Sequence, residues 1–330
     1  MIARKIALVA AGATMVASAV FAPAASAKKQ PQVLQPSSKW NLDYAESKCR
    51  LLRTFGEGDD EVVLIMDQSR PGDVFSMTVA GKPMKDLRLD PRDRAGGITT
   101  GGRFQHEPEK VEVRFGPGEE SREVSYLKGD LGPYKPALIF SSMNFRGAEP
   151  EGNEAGPESG KVVVQAVTPG PIDFLARDIS MERTRQIEWL QFDRRGGSIR
   201  LATGPMDVPI AGMQTCLEDL AQHWDIDVPA HRALSRLVQT ADDGGTWIRP
   251  DDYPDSAIRA GEQAILNFRL SVGPNGIPTN CEIVRFTKAT EFDEISCKRM
   301  LERARFEPAL DSQGQPIKSV CFGTIRFVMP

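Results

Sequence analysis

Three histidines in 330 residues leave little material for acid–base or metal chemistry. No G-x-S-x-G, H-E-x-x-H, C-x-x-C or Walker-type run occurs, so no nucleophile elbow, zinc helix, redox pair or phosphate loop is marked. His223 and His231 are eight residues apart, too far to be adjacent ligands on one helix face, and His106 is remote in sequence. Ser125-Tyr126-Leu127-Lys128 fits S-x-x-K, but no S-D-N or K-T-G accompanies it, and it falls in a predicted strand rather than at a helix start. Gly96-Gly97 and Gly101-Gly102 lack the following helix or lysine signature of a phosphate cradle and read as a hairpin loop. No catalytic residue, metal site or cofactor is therefore expected.

A surplus of positive charge is missing too. The chain has 41 basic and 45 acidic residues, a net charge of −4. Without Arg4 and Lys5 the balance is 39 against 45, or −6. A mildly acidic chain with no basic stripe is a poor nucleic-acid binder. Beyond residue 27 no run approaches transmembrane length. Before it, Arg4 and Lys5 precede an apolar run over 6–22, and Ala25-Ser26-Ala27 offers an A-x-A cleavage site. The expectation is a signal peptide over 1–27, cleaved after Ala27, leaving no stable membrane anchor. The alternative is a retained anchor, since the 17 residues of 6–22 lie at the lower limit for spanning a bilayer.

What is present suits an exported folded protein of two domains: 40% hydrophobic and 26% charged residues over 330 positions. Residues 28–39 read as a flexible polar tail. Over 40–225 short strand-like runs recur at 61–67, 73–79, 111–115, 123–127, 137–140, 161–167, 186–192 and 198–201. Arg70-Pro71-Gly72, Gly81-Lys82-Pro83, Gly116-Pro117-Gly118 and Arg195-Gly196-Gly197 punctuate them. That pattern predicts a β-rich, sandwich-like or barrel-like module. Stretches 96–102 and 146–160 read as long loops; the alternative for the second, rich in Gly, Glu and Pro, is a division of the region into two β subdomains. The module ends in a predicted helix over 208–224, with Ile210, Met213, Leu217 and Leu220 as its stripe and Cys216 beside it. Residues 226–250 read as a linker marked by Asp242-Asp243-Gly244-Gly245, with Trp247 anchored on a neighbour.

The final domain, 251–330, is predicted as ββαβ, so the fold class is α+β. Leu266, Phe268, Leu270 and Val272 alternate with polar residues, the period of a half-buried strand. Gly273-Pro274-Asn275-Gly276 supplies a turn into a second strand over 279–286. A helix over 292–304 presents Cys297, Met300, Leu301 and Ala304, and a last strand covers 317–328.

Five cysteines allow two disulfides and a free thiol in 15 arrangements. Cys49 opens the β-rich module and Cys216 lies on its closing helix, so a bridge there would tie the module end to end. Cys281 is in phase with Ile283 and faces the helix that bears Cys297. Cys321, in phase with Ile325 and Phe327, competes for an inward partner.

Tyr253-Pro254 with Ala257 and Gly261, the Asn275-Gly276 turn, Arg305-Phe306-Glu307-Pro308-Ala309, Gly314-Gln315-Pro316 and Arg326-Phe327 occur in order. These pieces resemble the carboxy-terminal domain of the TonB energy-transducer family, over about a quarter of the chain. The resemblance implies a periplasmic protein of a Gram-negative cell. It also implies binding of an extended peptide from a protein partner, such as an outer-membrane receptor, by strand addition. By position the last strand is the recognition edge, with Ile317, Lys318, Ser319, Val320, Phe322, Thr324 and Arg326 as the candidate binding residues. Packing of Val320, Phe322 and Thr324 against the linker or the β-rich module is the competing reading. The family's transducers keep a membrane helix and a proline-rich spacer, whereas here a β-rich module precedes the domain. The expected role is thus a binding or adaptor protein; an energy transducer with 6–22 retained, or an enzyme with its site in the β-rich module, are the alternatives.

Overall fold

The computed structural model describes residues 30–72, 74–87, 109–145, 163–166, 176–194, 197–242, 244–260, 262, 264–285 and 291–328. The stretches read from the sequence as a signal peptide (1–27) and as long loops (96–102 and 146–160), together with His106, lie outside the described residues. The described fold is α+β, rich in sheet with few helices.

The first region is one ten-stranded sheet. Its strands are β1 (Gln32–Leu34), β2 (Asn41–Tyr44), β3 (Cys49–Phe55), β4 (Val62–Gln68), β5 (Phe75–Gly81), β6 (Glu109–Gly116), β7 (Arg122–Leu131) and β8 (Tyr134–Met143), then β10 (Trp189–Arg194) and β11 (Gly197–Leu201). The intervening β9 (Val163–Ala166) belongs elsewhere. The spatial order is β1-β11-β10-β6-β7-β8-β5-β4-β3-β2, antiparallel except for β1 beside β11. One half of β7 pairs with β6 and the other with β8, so this long strand joins the two halves of the sheet. At the far side Pro36 bridges Phe55 and the Gly56 N–H donates to the Gln35 carbonyl at 2.8 Å, which brings the sheet's two ends together.

Period-2 burial drives this arrangement. Phe75, Met77 and Val79 of β5 turn inward with Leu64 and Met66 of β4 and with Val111, Val113 and Phe115 of β6. Two helices follow, α1 (Ala176–Gln186) and α2 (Asp207–His223). Ile210, Met213, Cys216, Leu217, Leu220 and Ala221 of α2 all enter the same core, and Cys216 is bridged to Cys49 of β3.

Residues 226–250, expected as a linker, are packed. Helix α3 (Val228–Arg232) and Ile226 join the first core, while Val238, Trp247 and Ile248 join a second one. Strand β12 (Gln239–Thr240) pairs with β15 (Phe306–Glu307). Asp252 then receives Arg303 at 2.5 Å and Arg299 at 2.7 Å, tying the entry segment to the last helix. Burial opposes its charge, but the Arg303 hydrogen bond, the Arg249 N–H and Arg299 hold its pKa below the ordinary carboxylate value.

The second region runs through α4 (Asp255–Ala260), β13 (Ala264–Val272), β14 (Pro278–Arg285), α5 (Glu291–Arg303), β15, β16 (Ala309–Leu310), β17 (Pro316–Ile317) and β18 (Ser319–Val328). The β13–β14 turn closes at Gly276, whose φ of 74° favours glycine; a Cβ there would sit 2.0 Å from the Phe306 carbonyl oxygen. On α5 the buried stripe is Phe292, Ser296 and Met300, continued by Ala304 at the same four-residue step. Leu301, expected on that stripe, is exposed because it lies one residue, about 100°, round the helix from Met300. Cys297 bridges to Cys281 of β14. Among the described residues no helix is long and apolar enough to cross a membrane.

Candidate peptide-recognition edge

Strand β18 lies inside a four-stranded sheet of order β14-β13-β18-β9. Along its whole length it pairs antiparallel with β13, from Ser319 opposite Val272 to Phe327 opposite Ala264. Its two faces meet different cores. Cys321, Ile325 and Phe327 point into the second core with Phe268, Phe292 and Tyr253. Gly323 shares that phase because the Phe268 ring occupies its side-chain space: a Cβ would meet Cζ at 2.5 Å.

Val320 and Phe322, of opposite phase, are buried in the first core. The Phe322 ring lies 5.7 Å from that of Trp224, just past the end of α2. Arg269, opposite Phe322 on β13, is buried as well, pairs with Glu282 and sits 4.3 Å over the Trp224 ring. Thr324 is half-buried, and its hydroxyl donates to Asn267 Oδ1 at 2.7 Å. A shallow crevice remains between Ser47, Ser69, Asn267, Arg269, Glu282 and Phe322.

The start of the expected strand is different. Ile317 pairs with Ala309 in the small β16–β17 ribbon, and Lys318 reaches out to Asp225 at 2.9 Å. Ser319, buried, has its hydroxyl 3.1 Å from His231 Nε2, while His231 Nδ1 contacts the Asp227 carbonyl at 2.8 Å. Burial lowers the His231 pKa, against the opposing pull of Asp227.

The outer side of β18 carries β9 at one end. Ile325, Arg326, Phe327 and Val328 face Ala166, Gln165, Val164 and Val163 in antiparallel register. Among the described residues no strand pairs with 319–324 on that side. The sequence places 161–167 as a strand but within the β-rich region, and its described part, 163–166, joins the other sheet.

Cysteine chemistry is quiet. Cys281 and Cys321 lie opposite the same residue, Leu270, one on each side of β13. Two strand spacings, roughly 9–10 Å, separate them, beyond the reach of a disulfide. Cys321 is free and buried, and burial pushes its thiol pKa well up, so it presents no nucleophile. Of the remaining candidates, Ser125 and Lys128 are exposed on β7 three residues apart, which puts them on opposite faces of the strand. His223 is exposed on α2 and His231 is buried on α3. No three of His, Cys, Asp and Glu gather at a metal-binding distance among the described residues.

No curated protein and no solved structure matches the chain. Residues 249–329, which hold α4, the β13–β14 hairpin, α5 and β18, match the family described as Gram-negative bacterial TonB protein C-terminal, and this segment is accordingly a TonB-like carboxy-terminal domain.

Proposed function

We propose that the chain is a periplasmic TonB-like adaptor that recognises an extended peptide of a protein partner by strand addition at β18, in the service of outer-membrane transport. The family is one of energy-transducing and binding domains rather than enzymes, it belongs to the Gram-negative envelope, and its domains interact with outer-membrane proteins. One observation carries the strand-addition reading to this chain: the backbone of β18 over 325–328 already accepts an added antiparallel strand, β9, on its outer side. An edge that pairs with one extended segment offers the same N–H and C=O groups to another. The main chain of Ser319, Val320, Phe322, Thr324 and Arg326 supplies the ladder in this reading. Val320 and Phe322 contribute no side-chain selectivity, since both are committed to the first core. Ile317 and Lys318 lie before the strand and mark its approach.

The test uses proline, which removes a ladder N–H. Consecutive residues direct their N–H groups to opposite edges, so one of Ile325→Pro and Arg326→Pro strikes the outer edge and the other strikes β13. Each variant is immobilised, an envelope extract is passed over it, and the captured proteins are identified by mass spectrometry. The outer-edge variant, folded by circular dichroism, should lose an outer-membrane protein that the wild type retains. An unchanged captured set from both folded variants overturns the reading.

A further inference from the structure

Strand β9 is foreign to the segment whose sheet it completes. It comes from between β8 and α1 and ends at Ala166, whereas β13 begins at Ala264, yet among the described residues it pairs with β18 and with no strand of the first region. It lies on the outer side of β18 and covers four residues, while 319–324 carry no strand there among the described residues. We propose that Val163–Ala166 is a resident strand that masks the recognition edge, and that a partner peptide engages β18 by exchanging with it. This rests on the strand-addition reading and adds to it an order of events and a partner chemistry.

The chemistry follows from what the resident is. Its sequence, Val163-Val164-Gln165-Ala166 preceded by Val162 and followed by Val167, is an uncharged run dominated by β-branched residues, the composition that favours extended backbone. A competitor should therefore be an uncharged, valine- or isoleucine-rich segment entering antiparallel to β18.

The sequence also limits the resident. Three residues beyond Ala166 stands Pro169, followed by Gly170 and Pro171. Neither proline carries an N–H and the glycine between them disfavours extended structure, so in this register any continuation of the resident opposite 320–322 would pair more weakly than a strand that lacks them. A partner without those prolines could pair along more of β18 than the resident does. That surplus offsets the resident's advantage of being tethered, which makes it compete as though present at about millimolar concentration. A short resident and a longer competitor give an edge that is closed by default and opens to the right strand.

The experiment measures binding of a labelled synthetic peptide, residues 161–168 of this chain, by fluorescence anisotropy. The proteins are full-length wild type, Val164→Pro, Gln165→Pro, and a variant with 163–166 replaced by Gly-Ser-Gly-Ser. Of the adjacent prolines, one removes the N–H aimed at β18; the Gly-Ser variant lowers strand propensity without relying on direction. The expected result is binding at least about tenfold tighter than wild type in one proline variant and in the Gly-Ser variant. Amide exchange should show 325–328 protected again when peptide is added. Equal affinity in wild type and every folded variant overturns masking while leaving strand addition intact. Absence of binding in every folded variant overturns both, because an emptied edge then fails to accept even its own strand.

Discussion

The two regions use the same device at different scales and then trade parts. In each, one helix is tied to one strand by a disulfide. Cys216 of α2 bonds Cys49 of β3 across 167 residues, and Cys297 of α5 bonds Cys281 of β14 across 16. The exchange runs both ways. The first region contributes β9 to the edge of the second sheet, and the second contributes Val320 and Phe322 to the first core. Strand β18 is thus a shared wall, with one face in each core. A family resemblance confined to the carboxy-terminal quarter describes a domain, but the physical unit that would present it to a partner is larger.

The largest way to break the comparison is to cut its covalent ties. In the loop-closure picture the long loop gives a bridge worth about 5 kcal/mol and the short loop one worth about 3 kcal/mol. Replacing Cys49 and Cys216 together by serine should therefore cost more stability than replacing Cys281 and Cys297 together. Denaturant midpoints of the two double variants measure the difference. Equal losses would mean that unfolded-state entropy is not what separates the two bridges.

Local pattern made much of this legible. The apolar stripe of α2, the turn at Gly276, the phase of Cys281 and the helix face of Cys297 all depend on residues close in sequence, where the 3.6 and 2.0 periods act. Two things were not legible. Helix α1 contains Arg177, Asp178, Glu182, Arg183 and Arg185 among 11 residues and shows too thin an apolar stripe to announce itself. The partner of β9 was hidden for another reason: strand propensity states that a segment will be extended but carries no address, and register across sheets is decided by tertiary fit. The destination of Val320 and Phe322 was one of two readings that the sequence left open, and their burial in the first core decides for packing against the β-rich module. Their alternation with Cys321 and Ile325 assigns two faces to β18, and nothing local says that both faces would be buried.

Phe322→Ala sharpens the shared-wall idea. The side chain is 4% exposed in the first core, so truncation should cost about 3–5 kcal/mol. The informative quantity is where protection is lost. Amide exchange should rise in α2 and β3 as well as in β18, although the substituted residue lies in the TonB-like segment. Confinement of the effect to β18 and β13 would show that the two regions unfold independently and that the packing of Phe322 on Trp224 is incidental.

The smallest effect tests the joint itself. His231 lies between the regions, its Nδ1 against the Asp227 carbonyl and its Nε2 against the Ser319 hydroxyl that begins β18. Burial lowers its folded-state pKa below the ordinary histidine value of about 6.5, so on acidification the unfolded chain takes up this proton before the folded one does. Stability must then fall as pH drops below 6.5, and the fall ends once the pH passes the folded-state value. The window for measurement runs from about 6.5 down to about 5, above the range where ordinary carboxylates titrate. His231→Gln keeps a side chain that can hydrogen-bond Ser319 but cannot titrate, and should flatten the slope of stability against pH in this window. If the slope is unchanged in the variant, some other group carries it. If the slope flattens and the amides of 319–324 also cease to gain exchange on acidification, the titration acts at the point where β18 leaves α3, which makes His231 the acid-sensitive contact holding the two regions to their shared wall.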